Sequence, residues 1–142
     1  MKIAIAYPPI YEQACAVFPL KQRRDVIFAY GDTIYNPHDI RITKELVAHE
    51  EVHGARQTVL GVELWWEIYL KNKQFRYEEE LPAHQAEYQA YCKRHQDGRR
   101  RMLRLIAEKL SSPLYGSMLT RADATTAILT QLTDSTQKIK SS

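Results

Sequence analysis

The sequence predicts an α+β fold, mainly helical and zincin-like, with a small N-terminal β-sheet placed before one chemically loaded helix. Three observations predict it. Short β-branched and aromatic runs, each stopped by proline, glycine or asparagine, lie ahead of Pro37. From Thr43 onward the apolar residues recur at helical spacing. Within that helical part, His49-Glu50-Glu51-Val52-His53 reads H-E-x-x-H in a proline-free run.

The elements follow in chain order. Lys2 to Tyr7 reads as a strand, stopped by Pro8-Pro9, and Pro9 suits the first turn of a helix through Ile10, Ala14 and Phe18 to Pro19. A charged connector, Lys21 to Asp25, precedes Val26 to Tyr30, the strongest strand signal in the chain. Gly31-Asp32 gives a turn, and Thr33 to Tyr35 a further extended piece ended by Asn36-Pro37. Thr43 is placed to N-cap the H-E-x-x-H helix and Gly61 to end it. The next helix, Val62 to Leu70, turns Trp65, Ile68 and Tyr69 to one side, and its tryptophans are expected to pack in the core.

Proline is tolerated in a first helical turn, so Pro82 predicts a helix beginning near Tyr77 to Glu79, with Glu80, His84 and Glu87 along one face. Asp97-Gly98 breaks the chain before a basic amphipathic helix, Arg99 to Leu110. A loop over Ser111-Ser112-Pro113 and Gly116 leads to a last helix opened by Thr120 and running to about Leu132. The reading is one domain over 1–134 and a polar, frayed tail over 135–142.

The 142 residues suffice for a core without staples, and 44% hydrophobic with 26% charged residues is ordinary globular composition. A net charge of +3 selects no partner class. Cys15 and Cys92 are too few for a disulfide framework, and a reducing compartment is the simpler reading. The apolar run Ile3 to Ala6 is too short for a signal-peptide core or a membrane span, so the expectation is a soluble, intracellular protein with no membrane partner.

The chemistry sits in the H-E-x-x-H run. Histidines four residues apart lie on one helix face, where both rings reach a single ion. Glu50 follows the first ligand directly, so its carboxylate stands beside the ion, free to take a proton from an activated water. With five histidines in 142 residues, chance produces the pattern in about one sequence in a hundred, and the helical context narrows that further.

A catalytic zinc takes three protein ligands. A third histidine six residues past the second is excluded, since Val59 stands there. Glu80, Glu87 and His95 remain. Glu80 is favoured because it heads Glu-x-x-Ala with the small Ala83, although Glu87 heads a second such pattern. His84, one turn beyond Glu80, is placed to act as a hydrogen-bonding partner of a ligand or as a stabiliser of the substrate carbonyl oxygen. Lys93, Arg94, Arg99, Arg100, Arg101 and Arg104 concentrate positive charge, which reads first as a solvated face and second as a nucleic-acid contact.

In four ordered landmarks the chain resembles the small zinc metallopeptidases of tailed phages and prophages. These are Val26 to Pro37, Leu46 to Gln57, Phe75 to Ala83, and Leu110 to Gly116. The resemblance spans about Val26 to Ile128, and it implies a gluzincin-like fold in which an edge strand, Val26 to Tyr30 or Thr33 to Tyr35, aligns substrate. It places the third ligand on Glu80, with His84 where a tyrosine is more usual. It implies one zinc ion per chain, a peptide or protein substrate, and a site of action in the host cytoplasm or with virion and assembly proteins.

Two functions follow as expectations. The first is zinc-dependent peptide hydrolysis with His49, His53 and Glu80 on the ion and Glu50 as general base. The alternative is a zinc-stabilised structural, assembly or binding protein that retains the site without using it.

Overall fold

A computed structural model of the chain describes residues 1–112, 115 and 119–140, with side chains through Thr130. It is an α+β fold, mainly helical, as the residue patterns predict. Three short strands, β1 (Lys2–Ala4), β2 (Phe28–Tyr30) and β3 (Thr33–Tyr35), form a sheet of order β1-β3-β2. Strand β3 runs parallel to β1, with Ile3 opposite Ile34, and antiparallel to β2, with Ala29 opposite Ile34. Its central place explains why Ile34 is fully buried. Gly31 makes the β2–β3 turn at φ 64°, a conformation open to glycine.

Helix α1 (Tyr11–Cys15) is shorter than expected, yet Phe18 and Leu20 beyond it are buried. Helix α2 (Lys44–Leu60) carries H-E-x-x-H. Thr43 caps it in extended conformation, its Oγ1 accepting from Leu46 N at 3.3 Å, and Gly61 ends it at φ 101°. Helix α3 (Val62–Lys71) follows at once.

Helix α4 (Lys73–Arg94) starts earlier than Pro82 predicts and carries that proline in its interior. Its first turns are secured before the proline is reached. Asn72 caps the helix by accepting from Phe75 N at 2.9 Å, and Arg76 Nε donates to Tyr69 O at 3.1 Å. Trp65 Nε1 donates to Glu79 at 2.6 Å. Tertiary anchors outweigh the one backbone bond that proline removes.

Helix α5 (Arg99–Leu110) begins after Gly98 at φ 76°. Helix α6 (Arg121–Lys140) opens at Thr120, whose Oγ1 accepts from Asp123 N at 3.1 Å, and runs past the expected end near Leu132. Pro113, Leu114 and Gly116 of the predicted loop, and the last residues of the predicted tail, lie outside the described residues.

Two apolar clusters flank the helix pair α2–α4. One joins α1 and the sheet to α3 through Phe18, Leu20, Phe28, Trp65, Trp66 and Tyr69. The other joins α4, α5 and α6 through Leu81, Ile106, Leu110 and Ile128. The expected core role of both tryptophans is observed. Among the described residues no helix is long and apolar enough to cross a membrane, and both cysteines are free.

Candidate metal centre

Helix α2 inverts the usual amphipathic arrangement. Its buried residues are Glu45, His49, Glu50, His53, Gly54 and Gln57, with no large apolar side chain among them. Burying polar groups is costly without partners, so this stripe must be held by specific contacts. Gly54 permits the close approach: a Cβ there would lie 2.7 Å from the carbonyl oxygen of Gly31. Gln57, one turn past His53, is fully buried and acts like a neighbouring strand's peptide group. Its Nε2 donates to Ala29 O at 2.9 Å, and its Oε1 accepts from Gly31 N at 2.7 Å.

The two histidines turn their Nε2 atoms toward each other, 3.2 Å apart. Glu80, from α4, closes the triangle. Its Oε1 accepts from His53 Nε2 at 2.6 Å and lies 3.6 Å from His49 Nε2. His49, His53 and Glu80 are all buried, and together they could hold a metal ion.

Glu87, one of the alternative third ligands, occupies a different place. Its Oε1 lies 2.9 Å from His49 Nδ1, on the opposite ring nitrogen, and its Oε2 accepts from Lys109 Nζ of α5 at 2.5 Å. A carboxylate on the far nitrogen of a metal-binding histidine fixes the ring's orientation and tautomer. His95 lies away from the cluster. It is exposed, with Nε2 3.8 Å from Glu45.

His84 is wholly buried behind His49, their rings 4.6 Å apart. Its Nδ1 is 3.6 Å from Glu87 Oε1 and its Nε2 is 4.0 Å from Glu80 Oε2, too far for hydrogen bonds. It is absent from the lining of the two described cavities beside His49 and Glu50. His49, His84 and Glu87 form a second group whose atoms could hold an ion.

The electrostatics follow from burial and proximity. Burial alone would lower the pKa of His49, but hydrogen bonds to Glu80 and Glu87 prevail and bring it up to about 10. Burial would raise Glu80, yet His53 and His49 hold it well below the usual carboxylate range. Glu87 is likewise held low against burial by His49, His84 and Lys109. Glu50 goes the other way: burial raises it, and the charges of His49 and His53 oppose this without reversing it. Burial lowers His84 to about 4, so this ring is neutral.

Among the described residues, four buried side-chain atoms have no hydrogen-bond partner: His53 Nδ1, Glu80 Oε2 and both ring nitrogens of His84. So many orphaned polar atoms in one cluster would be costly in a merely structural core. A cation held there would supply the missing interaction for at least the carboxylate.

Comparison with protein-family models, curated proteins and solved structures finds no match to this chain.

Access to the cluster runs between sheet and helices. Val26 and Ile27, just ahead of β2, line two cavities that His49, Glu50 and Tyr115 also line. Because β3 is central, Thr33 to Tyr35 is not an edge strand, and among the described residues β2 is the sheet edge that meets α2. Its outer edge at Ala29 is already taken by Gln57 and by Trp66, whose Nε1 donates to Ala29 O at 3.1 Å.

Sequence reasoning missed Gln57, Lys109 and Tyr115 as parts of the site. Gln57 had a signal, since it continues the His49–His53 face by one more turn. Lys109 and Tyr115 had none in the spacing, because tertiary packing alone brings them in. The basic cluster disperses in part: Arg99 donates to the carbonyls of Cys92 and His95, while Arg100, Arg101 and Arg104 face outward.

Proposed function

We propose that this protein is a zinc-dependent metallopeptidase holding one ion per chain on His49, His53 and Glu80. The carrying observation is the convergence of His49 Nε2, His53 Nε2 and Glu80 Oε1, with sides of 3.2, 2.6 and 3.6 Å. A tetrahedral zinc with bonds of about 2.0–2.1 Å separates its ligand atoms by about 3.3–3.4 Å, so these three need move only a few tenths of an ångström. The shortest side is the hydrogen bond between His53 and Glu80, as a charge-assisted bond would be. Two imidazoles and one carboxylate are a donor set that suits zinc.

Zinc, when bound, polarises water and a carbonyl oxygen as a Lewis acid. The protein's own groups do the rest. Glu87 holds His49 by Nδ1 so that Nε2 faces the ion. Glu50 stands next to His49, buried, with its pKa raised toward the working range of a general base. It accepts the proton of the attacking water and returns it to the leaving amine. Val26 and Ile27 offer backbone beside the reacting centre for an extended peptide, up to the point where Gln57 and Trp66 close the strand edge. The resemblance of the four sequence landmarks supports a phage or prophage peptidase acting in the host cytoplasm or with virion proteins.

The competing reading is a metal-stabilised assembly or binding protein. It is favoured by the depth of the cluster, which couples the ion to the packing of α2 on α4. A nucleic-acid partner would draw on the exposed Lys93 and Arg94 of α4 and Arg100, Arg101 and Arg104 of α5, none of which belongs to the His49–His53–Glu80 cluster. The Glu50→Gln variant separates the first two readings. Peptide hydrolysis lost with zinc content unchanged supports the peptidase; undiminished hydrolysis, or a wild type inert toward a broad peptide library, sinks it.

A further inference from the structure

We infer that Lys109 determines how many divalent ions the α2–α4 cluster accepts, by closing a second cage that His49 shares with His84 and Glu87. The inference extends the metal reading above, which assigns the first cage.

His49 faces two cages at once. Its Nε2 points to His53 and Glu80, and its Nδ1 points to Glu87. The second cage lies on the other ring nitrogen of His49, with His49 Nδ1 2.9 Å and His84 Nδ1 3.6 Å from Glu87 Oε1. Ligand atoms of His49, His84 and Glu87 lie within 4.8 Å of one another, and all three residues are buried. His84 is the telling member. It is wholly buried, and neither ring nitrogen has a hydrogen-bond partner, so its donor capacity is unspent.

Charge separates the cages. In the first, among the described residues, Glu80 Oε2 has no hydrogen-bond partner and the ion-pair partners of the carboxylate are histidines alone. In the second, Lys109 Nζ sits 2.5 Å from Glu87 Oε2. That ammonium cancels the charge of the cage's one carboxylate and would stand within a few ångströms of any ion placed there. Like charges at such a distance in a partly buried site repel strongly. Lys109 therefore keeps Glu87 as the hydrogen-bonding partner of His49 and prevents it from becoming a ligand.

Removing the positive charge frees Glu87 and opens the second cage. An ion entering it binds His84, Glu87 and His49 Nδ1, and the Nδ1 proton leaves to solvent. Lys109 is 41% exposed on the outer turn of α5, so Met or Arg fits without repacking the core.

The test counts ions by native mass spectrometry as zinc chloride is added to the metal-free protein, with melting curves as a fold control. Wild type and Lys109→Arg should each take one zinc, and Lys109→Met two. Adding His84→Leu to Lys109→Met should return the count to one. A folded Lys109→Met that still takes one zinc, or a wild type that takes two, overturns the inference. If wild type takes none while Lys109→Met takes one that His84→Leu abolishes, the proposed function falls and this inference stands. No zinc in any variant overturns both.

Discussion

His49 Nδ1 and Glu87 Oε1 lie 2.9 Å apart across the seam between α2 and α4, joining residues that are 38 positions apart in the chain. The contact holds the first histidine of H-E-x-x-H from behind, while Glu80 meets the front. One helix, α4, thus supplies both the third corner of the proposed metal cage and the residue that holds its first corner.

Glu87→Gln is expected to keep one ion per chain but weaken its binding by about 10–100-fold, the range for loss of an outer-shell partner. Glu80→Gln should weaken it much further. Competition against a chelator of known affinity measures both. Equal losses in the two variants would mean that Glu87 is itself a ligand.

Metal binding should also depend on pH with a defined sign. In the metal-free protein His49 titrates near 10, above its ordinary value, because Glu80 and Glu87 hold the charged ring. The ring must shed a proton to bind an ion, so affinity should rise about tenfold per pH unit from 7 toward 9 and level off above 10. Calorimetry in buffers of different ionisation enthalpy should show about one proton released per ion at pH 7. No release would contradict the assignment. By the same linkage, this histidine stabilises the metal-free fold fully below pH 6.5, and the contribution is lost as pH rises through about 10.

Gly54→Ala sets two effects against each other. Helix propensity alone favours alanine by about 1 kcal/mol. The added Cβ, however, meets the Gly31 carbonyl oxygen at 2.7 Å, and backbone cannot yield as a flexible side chain does. Overpacking of this kind costs about 1–3 kcal/mol, so the variant should be less stable in urea unfolding. A more stable variant would show that α2 can lift away from the β2–β3 turn without penalty.

Gln57→Met removes the amide that joins α2 to the sheet while keeping similar bulk. Gly31 N loses its partner, and Ala29 O keeps only Trp66. The expected loss is about 1–3 kcal/mol, read by urea unfolding in the metal-free state. A change within about 0.5 kcal/mol would mean that water replaces the amide.

Much of this arrangement was legible in the residues. The cap at Thr43 and the stop at Gly61 are local chemistry, and both govern α2. The convergence of His49, His53 and Glu80 was readable because a cluster able to hold a metal ion imposes residue types as well as spacing. Glu87 was legible as a carboxylate near the cluster but not as the partner of His49, since i, i+3 and i+4 neighbours on one helix do not reveal which face meets the opposing helix. Pro82 misplaced the start of α4: the cap at Asn72 is local and was legible, whereas Arg76 and Glu79 hold the first turns through contacts with α3 that the spacing does not reveal. Lys109 belongs to a basic helix whose charge pattern points outward, and only the packing of α5 on α4 brings its ammonium to Glu87.

The most direct measurement is the metal content of the purified protein by mass spectrometry, beside that of His49→Ala and Glu80→Ala. One zinc per chain is expected in the wild type and none in either variant. A wild type that takes up no zinc on loading, or a Glu80→Ala variant that retains it, would contradict the account.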